Sequence, residues 1–325
     1  MTKTITVLGS TNIDKVIKVP RFAKSGETLK TSEHVVEAMG GKGLNQAVAA
    51  ARSGAKTIIL TKVGKEFSIE KNMNVKNLVT SNVIRSQNEQ TGQAYITVSE
   101  ETGDNIIHIY GGANADITVE DVLNNQEVIK KSDFIIAQLE IPINVVTEAF
   151  KIAKANGVNT ILNPAPMPEI GGLPDELLKN TDTITPNEHE TFLLTGINAD
   201  SDKSLIENAK YYFKYGIKEV IITLGSRGSF YMNQDGNYGI VPIINSKVVD
   251  TTAAGDTFIG AMSTRLNSNM SNLKDAMEYA TAASSITVSR NGAQPSIPSE
   301  SEVLVVLGRN MEVFNHYAQN QLVKH

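Results

Sequence analysis

DFIIAQLEIPINVVTEAFKIAKANGVNTILNPAP, residues 133–166, sets two short apolar runs around one amphipathic segment. DFIIAQLE and NTILNPAP are apolar at consecutive positions, as in strands buried on both faces. VVTEAFKIAKANG repeats its apolar residues at helical spacing and stops at Gly157, so it reads as a helix with a glycine end. Strand, helix and strand in this order predict parallel neighbours joined by a crossover.

The same rhythm extends to both sides. KTITVLG reads as a first strand ending in a Gly-Ser-Thr-Asn turn, KGLNQAVAAARSG as an alanine-rich helix closed by Gly54, and KTIILTKVG as a buried strand. TVEDVLNNQEVIKK predicts a helix with Thr118 as N-cap, and DTITP a short strand. NEHETFLLTG and LIENAKYYFKYG follow as helices, KEVIITLG as a strand, and GSFYMN with NYGIVP as a late hairpin. GDTFIGAMSTRLN, LKDAMEYATAASSITVS and SEVLVVLGRNMEVFNHYAQNQ read as the closing helices. A mostly parallel sheet covered by helices is therefore expected. Two regions break the rhythm. KVIKV and EHVVEAM are half-polar strands, and QAYITVSEETGDNIIHIYGG alternates strictly around a Gly-Asp loop. They predict a small antiparallel sheet apart from the main body.

The chain of 325 residues is 41% hydrophobic and 20% charged, an ordinary globular composition. A net charge of −5 leaves no basic footprint for nucleic acid. There is no cysteine, hence no disulfide framework and no thiolate zinc site, in keeping with a cytoplasmic location. The five histidines, His34, His108, His189, His316 and His325, lack ligand-like spacing. MTKTITVLGSTNID is too short an apolar run for a signal peptide, and no stretch approaches the roughly 18 apolar residues of a membrane helix.

Ligands of parallel α/β sheets bind beyond the carboxyl ends of the strands. The unusual polar residues all follow a predicted strand: Asn12 and Asp14, Glu140, Asn163, Asn187 and Glu190, Gly225 and Ser226. Each also has a plain structural reading. GGKGLNQA, residues 40–47, is a turn and helix start, or a backbone cradle for a ligand with Asn45 turned to a hydroxyl. It satisfies neither the Walker A pattern nor a full G-x-G-x-x-G. Asn12 and Asp14 form an Asx-turn or a clamp for vicinal hydroxyls. TPNEHE makes Asn187 and Glu190 a capping box, or a site for phosphate or hydrated magnesium. TLGSRG is a tight turn or a phosphate loop, with Arg227 as a ligand or a solvated charge. In VVDTTAAGDTFIGA, Asp256 is an ordinary first-turn residue or a general base beside an anion hole made by Ala254, Gly255 and its own N–H.

Taken together, GGKGLNQA, NPAP, TPNEHE, TLGSRG and DTTAAGDTF, in this order and spacing, resemble the ribokinase-like sugar kinases, from GSTNID to GAQPSIP. The resemblance implies a single domain over residues 1–325. It would be a three-layer α/β/α sandwich with a mostly parallel central sheet and a small β-sheet lid built from about residues 14–40 and 91–112. It implies transfer of phosphoryl from ATP to the 5-hydroxyl of D-ribose, with Asp256 as base and Gly255 and Ala254 at the anion hole. Asn12, Asp14, Gly41, Lys42, Gly43, Asn45 and Glu140 then hold the sugar. Asn187, Thr223, Leu224, Gly225, Ser226, Arg227, Gly228, Gly255 and Thr281 hold ATP, and Glu190 serves magnesium through water. Asp250, Thr252, Thr287, Arg290, Gly292 and Ser296 fall at a potassium loop, several through backbone carbonyls. The resemblance also implies a homodimer through paired lids. Other sugars or nucleosides as substrates, and a sugar-binding relative without catalysis, are the competing expectations. One stretch departs from the family: Gly64-Lys65-Glu66-Phe67-Ser68-Ile69 stands where G-D-D-x-F-G is usual, and the chain from there to TGQAY is short.

Overall fold

Consecutive apolar residues and glycine-marked stops set the element boundaries in a computed structural model that describes residues 2–168 and 172–308. The chain opens with β1 (Thr4–Leu8), β2 (Asn12–Val19), β3 (Val36–Gly40) and α1 (Lys42–Arg52). β4 (Lys56–Leu60), β5 (Lys62–Val63), α2 (Ile69–Asn72), β6 (Leu78–Val79) and β7 (Ile84–Arg85) follow. β8 (Gly92–Ser99) and β9 (Asn105–Tyr110) form the alternating hairpin. Next come α3 (Val119–Asn124), α4 (Gln126–Lys130), β10 (Phe134–Ala137), α5 (Ile143–Ala155) and β11 (Asn159–Leu162). α6 (Asp175–Lys179), β12 (Thr183–Ile184), α7 (Glu188–Thr195), α8 (Asp202–Phe213) and β13 (Glu219–Thr223) continue the rhythm. β14 (Ser229–Asn233), β15 (Tyr238–Val241), α9 (Ala254–Arg265) and α10 (Leu273–Thr287) complete it.

The main sheet has nine strands in the order β15-β14-β13-β12-β11-β10-β1-β4-β6. Pairing is parallel from β6 to β13 and antiparallel only through β14 and β15. Alternation along each strand feeds two cores. Ile5, Val7, Phe134 and Ile136 face Leu44, Phe258, Met262 and Met277 of α1, α9 and α10. Leu8, Ile135 and Ala137 face Val146, Phe150, Leu205 and Tyr212 of α5 and α8 on the other side. Each such Val, Leu, Ile, Phe or Met side chain, fully buried, stabilises the fold by about 1.5–3 kcal/mol. The result is the expected three-layer α/β/α arrangement.

The second sheet runs β3-β2-β8-β9 and stands apart from the first. Its central pairing, β2 with β8, is parallel, so the small sheet is mixed rather than purely antiparallel. Asn12, expected in a turn, is the first residue of β2. Its partner Gly92 lies far along the chain, out of reach of local pattern. TVEDVLNNQEVIKK splits into α3 and α4 at Asn125, where the backbone leaves the helical region. In the stretch that departs from the family, α2 is a single turn of four residues. Glu66 anchors this stretch, accepting from both the N–H and the hydroxyl of Thr91 at 2.8 Å. The last expected helix is present over residues 300–308, and the rest of it lies outside the described residues.

Helix α1 begins at Gly41, whose φ of 91° lies in the left-handed region that favours glycine. A Cβ on Gly43 would lie 2.5 Å from the backbone of Gly9 and Ser10, so α1 starts directly against the turn after β1. A Cβ on Gly260 of α9 would lie 2.4 Å from the Gln46 carbonyl of α1. The two helices therefore cross almost backbone to backbone.

Candidate active site

The carboxyl ends of β1, β10, β11, β12 and β13 open toward α1 and α9. Asn12 and Asp14 share a face of β2, as alternation requires, and both are buried. Gly40 on β3 makes room for them: a Cβ there would lie 1.9 Å from Asp14 Oδ2. Asn12 Oδ1 accepts from Asn114 Nδ2 at 2.7 Å. Glu140, just beyond β10, accepts from the Ser10 hydroxyl and from the Lys42 backbone N–H at 3.2 Å. Burial, with Glu140 and Asp256 nearby, pushes the Asp14 carboxyl up to about 7. Burial opposes the Lys42 charge, but the carboxylates of Asp256, Glu140 and Glu190 outweigh it and hold its pKa above the ordinary lysine value.

Helix α9 begins without a side-chain cap, preceded by Ala253 at φ 62°. For a residue with a Cβ this conformation costs roughly 1–2 kcal/mol. The Ala254 N–H donates to the Thr251 carbonyl at 3.2 Å, whereas among the described residues no acceptor takes the N–H of Gly255 or Asp256. These two donors sit at the positive end of the helix dipole. Asp256 is buried, with Asn45 Nδ2 3.1 Å from its Oδ2 and Gln46 Nε2 3.0 Å from its Oδ1. Asn45 Oδ1 is buried and has no hydrogen-bond partner.

Two cavities meet at this helix start. One, of about 200 Å³, is lined by Lys42, Asn163, Asn187, Glu190, Gly255 and Asp256 among others. The other, of about 510 Å³, is lined by Gly225, Ser226, Gly228, Val248, Phe258 and Thr281 among others. Thr223, Thr251, Ala254 and Gly255 line both. A Cβ on Gly255 would meet nothing within 4 Å, so its absence leaves the junction open rather than relieving a packing clash.

On the side of the larger cavity, β13 ends in a turn that needs glycines: Gly225 has φ 55° and Gly228 φ 93°. Leu224 is buried and lines neither cavity. Arg227 points away, donating to Glu188 and to the Ala199 carbonyl at 2.5 Å each. Asn187 and Glu190 form a reciprocal capping box, each side chain taking the other's N–H at 2.8 Å, and still line the smaller cavity. Burial raises the Glu190 pKa, against the opposing pull of the Asn187 N–H and Lys42. His189 is exposed on the same turn.

Asp250, Thr252 and Gly292 form one bonded cluster beside α9. Asp250 accepts from the Thr252 N–H and hydroxyl at 2.9 and 2.6 Å, and from the Gly292 N–H at 2.9 Å. Burial works against this carboxylate, but those donors hold its pKa below the usual range. The Thr287 hydroxyl turns instead to Thr257, and its carbonyl accepts from the Arg290 N–H at 3.1 Å. The Arg290 guanidinium pairs with Glu302, and the Ser296 hydroxyl bonds Ala293. Among the described residues no three His, Asp or Glu side chains gather as a metal site.

Pattern reading passed over Gln46, Gln138, Ser10 and Asn114, and named Asn163 without a role. Gln46 had a signal: it follows Asn45 directly and lies one helical turn from Lys42.

The pattern of the pfkB family of carbohydrate kinases matches residues 2–300. A Staphylococcus aureus ribokinase is 46% identical over 93% of this chain and 99% of its own. A bifunctional ribokinase/ribose-5-phosphate isomerase A of Fructilactobacillus sanfranciscensis is 49% identical over 95% of this chain, which spans 57% of that protein's length. The structure of an Arabidopsis thaliana ribokinase complexed with ribose and ATP superposes with a TM-score of 0.83, at 30% identity, over 94% of this chain and 99% of that one. The chain belongs to the pfkB family of carbohydrate kinases.

Proposed function

We propose that this protein transfers the terminal phosphoryl group of ATP to the 5-hydroxyl of D-ribose. The carrying observation is the junction of two cavities at Gly255, with the Asp256 carboxylate on one side and unpaired N–H groups at the gap. A polyol fits beside Asp256, where acidic and amide side chains line the smaller cavity and Asn45, behind the carboxylate, keeps an unpartnered acceptor. ATP fits the larger, with phosphates toward Gly225 and the shared Gly255, the terminal one facing Lys42 of the smaller cavity, and the base between Val248 and the Thr281 side of α10. The similarity to ribokinases supports ribose as the sugar.

Asp256 takes the proton of the 5-hydroxyl as its oxygen attacks the γ-phosphorus. The bond from that phosphorus to the β–γ bridging oxygen breaks, and ADP leaves with the electron pair. The N–H groups of Gly255 and Asp256, with Lys42, stabilise the charge on the transferring group. Asn187 and Glu190 face the smaller cavity and would hold magnesium through water, and the ion would supply charge neutralisation for the transfer. Asp250 would anchor potassium, with the carbonyls of Thr252, Thr287, Arg290 and Gly292 and with Ser296 near it. An ionised carboxylate already fixed by backbone N–H groups suits a monovalent cation. The small sheet acts as a lid that excludes water. Its exposed Ile106, Ile107, Ile109 and Tyr110 favour pairing with a second copy. Use of ATP and a free sugar supports a cytoplasmic location.

A coupled ADP assay with ribose, deoxyribose, fructose and a nucleoside, with and without potassium, tests the reading. Ribose gives the highest kcat/KM, and potassium raises it. Ribose binding without ADP release overturns the proposal.

A further inference from the structure

Asn45 and Gln46 hold different oxygens of the Asp256 carboxylate, but only Asn45 has a second group left without a hydrogen-bond partner. Gln46 is fully buried, with both ends of its amide already partnered inside the protein, so it reaches neither substrate. A carboxylate only accepts, so Gln46 presents its amino group to Asp256. Its carbonyl then faces away and accepts from Gln138 Nε2 at 2.5 Å. Gln46 also donates to Asn163 Oδ1 at 3.2 Å, which sends the Asn163 amino group to the Thr185 carbonyl at 3.2 Å. The orientation of each amide thus follows from the one before it, starting at the carboxylate. The network is anchored at rigid points, the carboxyl ends of β10, β11 and β12. A Cβ on Gly9 would lie 2.0 Å from Gln138 Oε1, so the end of β1 leaves space for that side chain.

The torsion that turns an aspartate carboxyl is broad and has no sharp minimum of its own. Donors on both oxygens therefore decide which way it faces. We propose, building on the kinase reading above, that Gln46, backed by Gln138 and Asn163, is a positioning residue that fixes the Asp256 carboxylate for attack by the sugar hydroxyl. Asn45 alone holds one oxygen and would leave the carboxylate free to turn about it.

Gln46→Met keeps the length of the side chain and removes its donors. Its kcat falls about ten- to a hundredfold, the scale of one hydrogen bond to a charged group. Ribose affinity by calorimetry and KM for ATP stay within about threefold, a split that general loosening of the site would not produce. Gln138→Met, which removes only the donor behind Gln46, lowers kcat less and also spares binding. It carries the test if thermal melting shows that Gln46→Met does not fold. Wild-type turnover measured alongside separates the two readings. An inactive wild type overturns the kinase reading and the positioning role with it. An active wild type with a folded variant at unchanged kcat, or with ribose affinity lost in step with kcat, overturns the positioning role alone.

Discussion

At Asp256 the first turn of α9 supplies a carboxylate and unpaired N–H groups on neighbouring residues. Asp256→Asn keeps the shape but cannot take a proton, and its amino group meets one of the two amide donors that the carboxylate accepts from. Its kcat falls by about 10²–10⁴, the usual worth of a general base, while calorimetry finds ribose affinity near that of the native protein. Near-normal turnover would remove Asp256 from the reaction. The spacing of Asp14 and Asn12 made it legible that the two share a face of an extended strand. What could not be read was the crowding of Asp14 by Glu140 and Asp256, which come from elements far along the chain. Arg227 is the opposite case. The sequence offers it to the nucleotide, but a partner in Glu188 turns it outward.

β13 carries a stability feature unrelated to the site. Glu219, at its first position, is buried, and its Oε2 has no partner. Burial, helped by Asp235, raises its pKa to about 8 from an ordinary 4.5. Between those values the folded state holds a proton that the unfolded chain has lost, so this group's contribution falls as pH rises through that window. Glu219→Gln removes the slope. In chemical denaturation it matches the native protein near pH 4 and is the more stable of the two above pH 8; equal stability at both ends would refute the assignment. Elements with continuous apolar runs, such as β10, α5 and β11, were legible because burial on two faces writes itself into consecutive residues. The start of β2 and the break at Asn125 were not, since distant pairing and a local backbone departure decide them. TPNEHE shows why a motif can remain ambiguous: Asn187 and Glu190 cap α7 and line the cavity with the same atoms.

In the whole molecule the small sheet exposes apolar side chains on the face that also carries Asp14. By strand register Ile107 and Ile109 share that face, and they are 50% and 52% exposed. Ile107→Asp with Ile109→Asp converts a dimer to a monomer in light scattering and raises KM for ribose. A native monomer, or a variant that remains dimeric, counts against lid pairing. No helix among the described residues is long and apolar enough to cross a membrane. The close crossing of α1 and α9 at Gly260 has a consequence for catalysis. The helix that brings Lys42 and Asn45 and the helix that brings Gly255 and Asp256 meet at Gly260, where only the small Ala49 side chain stands between the two backbones. Backbones this close resist sliding, so the groups of both helices are held as one block, and a moving part, if turnover needs one, is sought in the small sheet.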